Sequence, residues 1–150
     1  MRPAKHGLDD VESRRALRAP RLLFVDDDPY VLEGIRRLLG CLRPSWRVAF
    51  ATHCGEAMAR LLCDEFDVVT LGLTAPGMDA LSALERVARR QPRAARVVCS
   101  SHLRATSQGP AWRWVQHRVQ QPTTAAQLLQ VLEAALPDAL RGQADDAAVG

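Results

Sequence analysis

Four short apolar runs and a short fifth segment, separated by stretches with helical spacing, limit what this 150-residue chain can fold into. The runs are Arg21-Leu-Leu-Phe-Val-Asp26, Trp46-Arg-Val-Ala-Phe-Ala51, Phe66 to Leu73, Ala95-Arg-Val-Val-Cys-Ser-Ser101 and Val115 to Gln120. The first four are apolar rather than alternating, which is the pattern of strands covered on both faces. Strands alternating with helices predict an α/β fold built on a doubly wound parallel sheet, with right-handed crossovers. No internal repeat is visible.

The helices carry their own signals. Asp28-Pro29 is an N-cap acid followed by proline at the first helical position. Tyr30 to Leu39 then has apolar residues at helical spacing. Gly55 to Cys63 predicts a helix with Ala57, Met58, Leu61 and Leu62 inward. Ala80 to Arg90 predicts one with Leu81, Leu84 and Val87 on a shared face. Thr123 is expected to cap a last helix that contains Leu128, Leu129, Val131, Leu132 and Leu136. Leu103 to Trp114 is the irregular segment. Gly109-Pro110 falls where a fourth helix is due, and proline in a helix interior costs about 3 kcal/mol. That helix is expected to be short, bent or delayed. Residues 1–19 and 137–150 read as flexible tails flanking a domain over residues 20–136.

Composition excludes several classes. Hydrophobic residues make up 47% of the chain and charged residues 25%, as in soluble globular proteins. The net charge is only +3, and the arginines are scattered through every segment. A nucleic-acid binder concentrates them on one face, so nucleic acid is not an expected partner. No apolar run is long enough to span a membrane. The first residues lack the apolar core of a signal peptide. Cys41, Cys54, Cys63 and Cys99 form no C-x-x-C pair. A cytoplasmic protein with reduced, structural thiols is expected. His53-Cys54 and Cys99-x-x-His102 lack a second ligand pair at zinc spacing.

In a doubly wound sheet, chemistry gathers beyond the carboxyl ends of the strands. The first strand ends in Asp26-Asp27-Asp28. With Asp28 assigned to the helix cap, Asp26 and Asp27 remain as an acid pair, the oxygen-rich donor set that Mg²⁺ favours. The fourth strand ends in Ser100-Ser101 and the fifth in Gln120-Gln121-Pro122. The third carries Gly72 near its carboxyl end, although glycine inside a strand costs about 0.5–1 kcal/mol relative to alanine.

Taken together, Val25-Asp-Asp-Asp-Pro29, Pro76-Gly-Met-Asp79, Arg96-Val-Val-Cys-Ser-Ser101 and Gln121-Pro122 resemble the receiver domain of bacterial two-component response regulators. The resemblance runs from about residue 20 to residue 136, in the family's order and spacing. The nearest variety is the receiver often fused to HD-type output domains. It implies a flavodoxin-like fold with a five-stranded parallel sheet in the order 2-1-3-4-5. It also implies a phosphorylation pocket. In the family, an aspartate ending the third strand accepts a phosphoryl group from a histidine kinase, and the acid pair helps hold Mg²⁺. A hydroxyl ending the fourth strand and a lysine before proline after the fifth read the phosphoryl group.

This sequence departs from that pattern at its centre. The acceptor position, four residues before Pro76, is Gly72. The lysine position is Gln121, and the aromatic often found three residues earlier falls on Arg118. Asp26, Asp27, Ser101 and Pro122 remain. Losing the acid and the lysine together removes one negative and one positive group. Losing both members of such a pair is milder than losing one. Mg²⁺ is expected to bind weakly at most, at Asp26 and Asp27, and no other cofactor is implied.

The expected function is that of a stand-alone, receiver-like signalling protein, not an enzyme, acting by phosphorylation-independent protein–protein interaction. A histidine kinase, a regulator or an output protein is the expected partner. Trp112, Trp114 and Arg118, with Arg113 and His117, form the candidate partner surface, on the face the family uses for binding. A homodimer through that face is a further expectation. Two alternatives stand beside this reading: phosphorylation on a substitute acceptor, Asp26 or Asp27, and a nucleic-acid-binding regulator.

Overall fold

In the computed structural model of the chain, the described residues are 18–73, 78–101, 110–121 and 123–137. Within them the chain runs β1 (Arg21–Val25), α1 (Pro29–Leu42), β2 (Arg47–Ala51), α2 (Cys54–Cys63), β3 (Val68–Leu73), α3 (Met78–Arg90) and β4 (Ala95–Ser100). A 3-10 turn (Pro110–Trp114), β5 (His117–Gln120) and α4 (Ala125–Ala135) follow. All four strand pairings are parallel, and the sheet order is β2-β1-β3-β4-β5. The expected fold class is therefore the observed one.

Strand periodicity divides the core in two. Leu22, Phe24, Val68, Val97 and Val119 face α1 and α4, where they meet Leu32, Leu39, Leu128 and Leu132. Leu23, Val69, Leu71 and Val98 face the other way, against Ala57 and Leu61 of α2 and Leu84 and Val87 of α3. Neighbouring residues on each strand thus serve opposite layers, which is why the strands read as continuous apolar runs.

Capping sets the helix starts. The Asp28 Oδ1 accepts the Tyr30 N–H at 2.9 Å, with Pro29 opening α1 as expected. The cap of α4 is Thr124, not Thr123. Thr124 accepts the Gln127 N–H and its own N–H donates to the Gln127 side chain, a reciprocal box that Thr123, with Ala126 three residues on, has no means to make. Helix α3 begins at Met78, which places Asp79 in its first turn rather than before it.

Two strands are shorter than the apolar runs suggest, because side chains and turns take their first amides. The Phe66 N–H donates to the Gln91 side chain, so β3 starts at Val68. The Val115 N–H closes onto the Trp112 carbonyl, so β5 starts at His117. Between Leu103 and Trp114, residues 102–109 lie outside the described residues, and the rest forms the 3-10 turn. Buried Arg96 fastens that turn: its Nε donates to the Trp114 carbonyl at 2.6 Å and its Nη1 to the Ala94 carbonyl at 2.9 Å.

At the amino edge of the sheet, Asp67 is buried and binds three donors. Arg18 reaches it with both guanidinium nitrogens, at 2.9 and 3.0 Å, and the Arg21 N–H donates to it at 2.9 Å. Arg18, which the sequence places in the flexible tail, is thus fixed to the domain. Residues 1–17 and 138–150 lie outside the described residues. Removing a carboxylate that pairs with buried donors costs about 3–5 kcal/mol. Asp67→Ala is expected to lower the unfolding free energy by that order, read as a fall in the urea midpoint at unchanged slope.

Candidate functional site

The carboxyl ends of β1, β3 and β4 meet at one place. Val25 pairs with Leu71, which brings the next residues, Asp26 and Gly72, side by side. Gly72 in turn pairs with Cys99, and Cys99 with Val119 of β5. Strand alternation turns Asp26, Gly72 and Cys99 to one face, the face covered by α1 and α4.

Asp26 fills the space that glycine leaves. A β-carbon at residue 72 would lie 2.2 Å from the Asp26 Oδ2 and 2.7 Å from its Cγ, far inside contact distance. The Asp26 side chain is buried, and its Oδ1 accepts the Asp28 N–H at 2.9 Å. Burial pushes the Asp26 carboxyl above its usual value; the Asp28 N–H opposes this, and the neighbouring charge of Asp27 adds to it. The Cys99 thiol is pushed up to about 12, mainly by burial and secondarily by Asp26. It is therefore no nucleophile at neutral pH.

The remaining positions separate. Asp27 is exposed at the rim. Ser101 lies in the exposed turn after β4, whereas the buried serine at the strand end is Ser100, paired between Leu73 and Gln120. Ser101, the hydroxyl position carried over from the resemblance, therefore lies one residue beyond the end of β4. Gln121 follows β5 on the same edge, and its N–H donates to the Ser100 carbonyl at 2.9 Å. The Gln120 side chain donates to the Ser101 and Gln121 carbonyls, each at 3.0 Å, which ties the two strand ends together. Pro122 and Pro76 lie outside the described residues.

The sequence pattern of the response regulator receiver domain matches residues 22–133, with the Asp26–Gly72–Cys99 pocket inside that span. The chain belongs to the response regulator receiver family. It is 32% identical over 83 residues to the positive alginate biosynthesis regulatory protein of Pseudomonas aeruginosa, a match over 54% of this chain and 33% of that one. This receiver thus spans about a third of that relative's length in the match. A response regulator from Thermotoga maritima, solved with Mg²⁺-BeF, superposes with a TM-score of 0.68 at 19% identity, covering 78% of this chain and 99% of that one. The signal receiver domain of an HD domain-containing protein from Pseudomonas fluorescens gives 0.68 at 24% identity, covering 79% and 94%. A Burkholderia pseudomallei response regulator, solved with a phosphorylated aspartic acid, gives 0.64 at 23% identity, covering 85% and 73%. These likenesses establish the fold.

The described residues here offer few side-chain oxygens for Mg²⁺. Mg²⁺ demands near-octahedral oxygen ligation. Gly72 supplies no side-chain oxygen, Asp26 is buried against it, and Asp27 alone faces solvent. No group of three or more His, Cys, Asp or Glu side chains among the described residues could hold a metal ion.

The candidate partner surface is also rearranged. Trp112 is buried, in the cluster with Leu84 and Val87, so it is core and not surface. Exposed Arg118 lays its guanidinium 4.4 Å from the Trp112 ring centroid and covers it. Trp114 is half-buried, with exposed Arg113 at 4.9 Å from its ring. The expectation that at least one of the two tryptophans lies on the surface assumed strand geometry; Trp114 keeps some exposure, whereas Trp112 is buried. The 3-10 turn, held by Arg96, instead carries that ring beneath α3. Among the described residues, no helix is long and apolar enough to cross a membrane.

Asp26 holds its proton more tightly folded than unfolded. Its contribution to stability is therefore complete below the ordinary value of 3.8 and is lost as pH rises through the higher folded value. Asp26→Asn keeps an acceptor for the Asp28 N–H and removes the buried charge. It is expected to raise the urea midpoint at neutral pH, with the advantage shrinking as pH falls through the carboxylate range. Parallel urea titrations across pH check this.

Proposed function

We propose that this receiver is a binding module, not an enzyme, that signals through a protein partner without accepting a phosphoryl group. One observation carries the reading: the Asp26 carboxyl occupies the space in which a side chain at residue 72 would begin. By resemblance, residue 72 is where the family places its phosphoacceptor. The pocket has no carboxylate on β3, and the space beside β3 is filled.

The supporting changes agree. Gln121 stands where the family has a lysine, so no cation at that position would draw in a phosphoryl group. Asp26 is a poor substitute acceptor, because burial favours its protonated form, the weaker nucleophile. Asp27 faces solvent without a metal site behind it. No nucleophile with an adjacent general base is present among the described side chains of the pocket.

The partner is a histidine kinase, a regulator or an output protein in the cytoplasm. It would be met on the face where Arg113, Trp114 and Arg118 lie. Arginine and tryptophan are enriched among the residues that dominate binding energy, and Trp114 keeps part of its ring accessible. The scatter of arginines through every segment of the sequence weighs against nucleic acid.

Intact mass spectrometry after incubation with acetyl phosphate and Mg²⁺ tests the reading, with a phosphorylatable receiver as control. The control should gain a phosphoryl group and this protein none. A stable adduct on this protein would contradict the proposal, and peptide mapping would locate the acceptor.

A further inference from the structure

We propose that the open edge of β2 is a docking site for a second copy of this chain, which would extend the sheet across a two-fold axis. Among the described residues, β2 is an edge strand and pairs only with β1. In a parallel ladder, alternate residues turn their backbone groups toward the neighbour. The Arg47 N–H donates to the Pro20 carbonyl, and the Ala51 carbonyl accepts the Asp26 N–H. This fixes the phase: Arg47, Ala49 and Ala51 bond toward β1, and Val48 and Phe50 present their N–H and C=O groups outward.

That arrangement is self-complementary. A two-fold axis through Ala49 sets Val48 of one copy opposite Phe50 of the other, twice. Antiparallel residues in this relation exchange both backbone hydrogen bonds. Val48 and Phe50 share the sheet face of α1, so each pair is also a cross-strand aliphatic–aromatic contact. Ala49–Ala49 lies on the other face and leaves room there. An open groove of about 460 Å³ runs beside Val48, Ala49 and Phe50 between α1 and α2, which gives a strand access.

Charge supplies the second argument. Exposed Arg47 points to the face that carries α2. In the two-fold pairing it lies opposite the partner copy's Ala51, next to Thr52. There Glu56 is already fixed, with Oε2 accepting from the Thr52 N–H at 3.1 Å and the Thr52 hydroxyl at 3.2 Å. Its other oxygen has only a loose contact with Arg60, at 3.6 Å. Each Arg47 would therefore meet a positioned carboxylate on the other chain. β2 carries no proline and no inward charge, the devices that usually blunt a strand edge.

Sedimentation equilibrium of the full chain tests this, with three variants. The wild-type chain is expected to form a reversible dimer. Val48→Pro removes an outward N–H that the β1 ladder does not use, and should weaken association at least about tenfold. Arg47→Glu and Glu56→Arg each create two like-charge junctions and should weaken it similarly. An equimolar mixture of these two variants restores both junctions and should recover the dimer. Recovery on mixing distinguishes docking from misfolding of either variant, and carries the test if Val48→Pro fails to fold. A wild-type chain that stays monomeric to about millimolar concentration would overturn the proposal. So would a dimer indifferent to all three variants, or variants that fail to recover on mixing.

Discussion

The carboxyl of Asp26 and the bare α-carbon of Gly72 share one space at the carboxyl edge of the sheet. The β1–β3 register puts the two residues side by side, and the missing side chain at residue 72 lets the acid fold inward. Much follows from that contact. It buries a carboxylate beside the Cys99 thiol and raises both proton affinities. It leaves Asp27 as the solvent-facing member of the acid pair. It also leaves β3 without a side-chain oxygen at residue 72. Any larger residue at position 72 must first displace Asp26.

The architecture was legible because it rests on local patterns. Apolar runs gave the strands, and Asp28-Pro29 gave the start of α1. The proline at residue 110 marked the irregular stretch before β5. What stayed hidden depended on tertiary choices. Thr123 and Thr124 are equivalent caps until the reach of Gln127 decides between them. The sequence reading chose Ser101 as the hydroxyl position, but where β4 ends, at Ser100, had no local signal. Trp114 and Trp112, two apart near a strand start, would share one face there, which left no local signal for burying Trp112. The Arg96 bond to the Trp114 carbonyl and the 3-10 turn bury that ring instead. The Arg18–Asp67 pair joins residues 49 apart, which no local pattern announces. The inward turn of Asp26 is a rotamer choice, and it became readable only when Gly72 was seen to leave space for it.

The two edges of the sheet differ in kind. At β5, Arg118 covers Trp112 and Arg113 lies over Trp114, so cation–aromatic contacts shape a polar, side-chain surface. At β2, the outward groups are backbone donors and acceptors beside half-buried Val48 and Phe50. The first edge suits a protein partner read by side chains, and the second suits another strand. Neither requires a change at the Asp26–Gly72 pocket, which lies between them. On the two proposals above, a receiver with this pocket would keep both edges for binding.

A double-mutant cycle at residues 26 and 72 tests the shared space directly. In the wild-type background, Gly72→Ala should destabilise the protein by about 1–3 kcal/mol, because the new β-carbon collides with Asp26. In an Asp26→Ala background, the same change should be neutral or stabilising by about 0.5 kcal/mol, as expected for glycine replaced within a strand. Equal effects in both backgrounds, within about 0.5 kcal/mol, would show that Asp26 does not occupy the space beside Gly72, and the account of this pocket would be wrong.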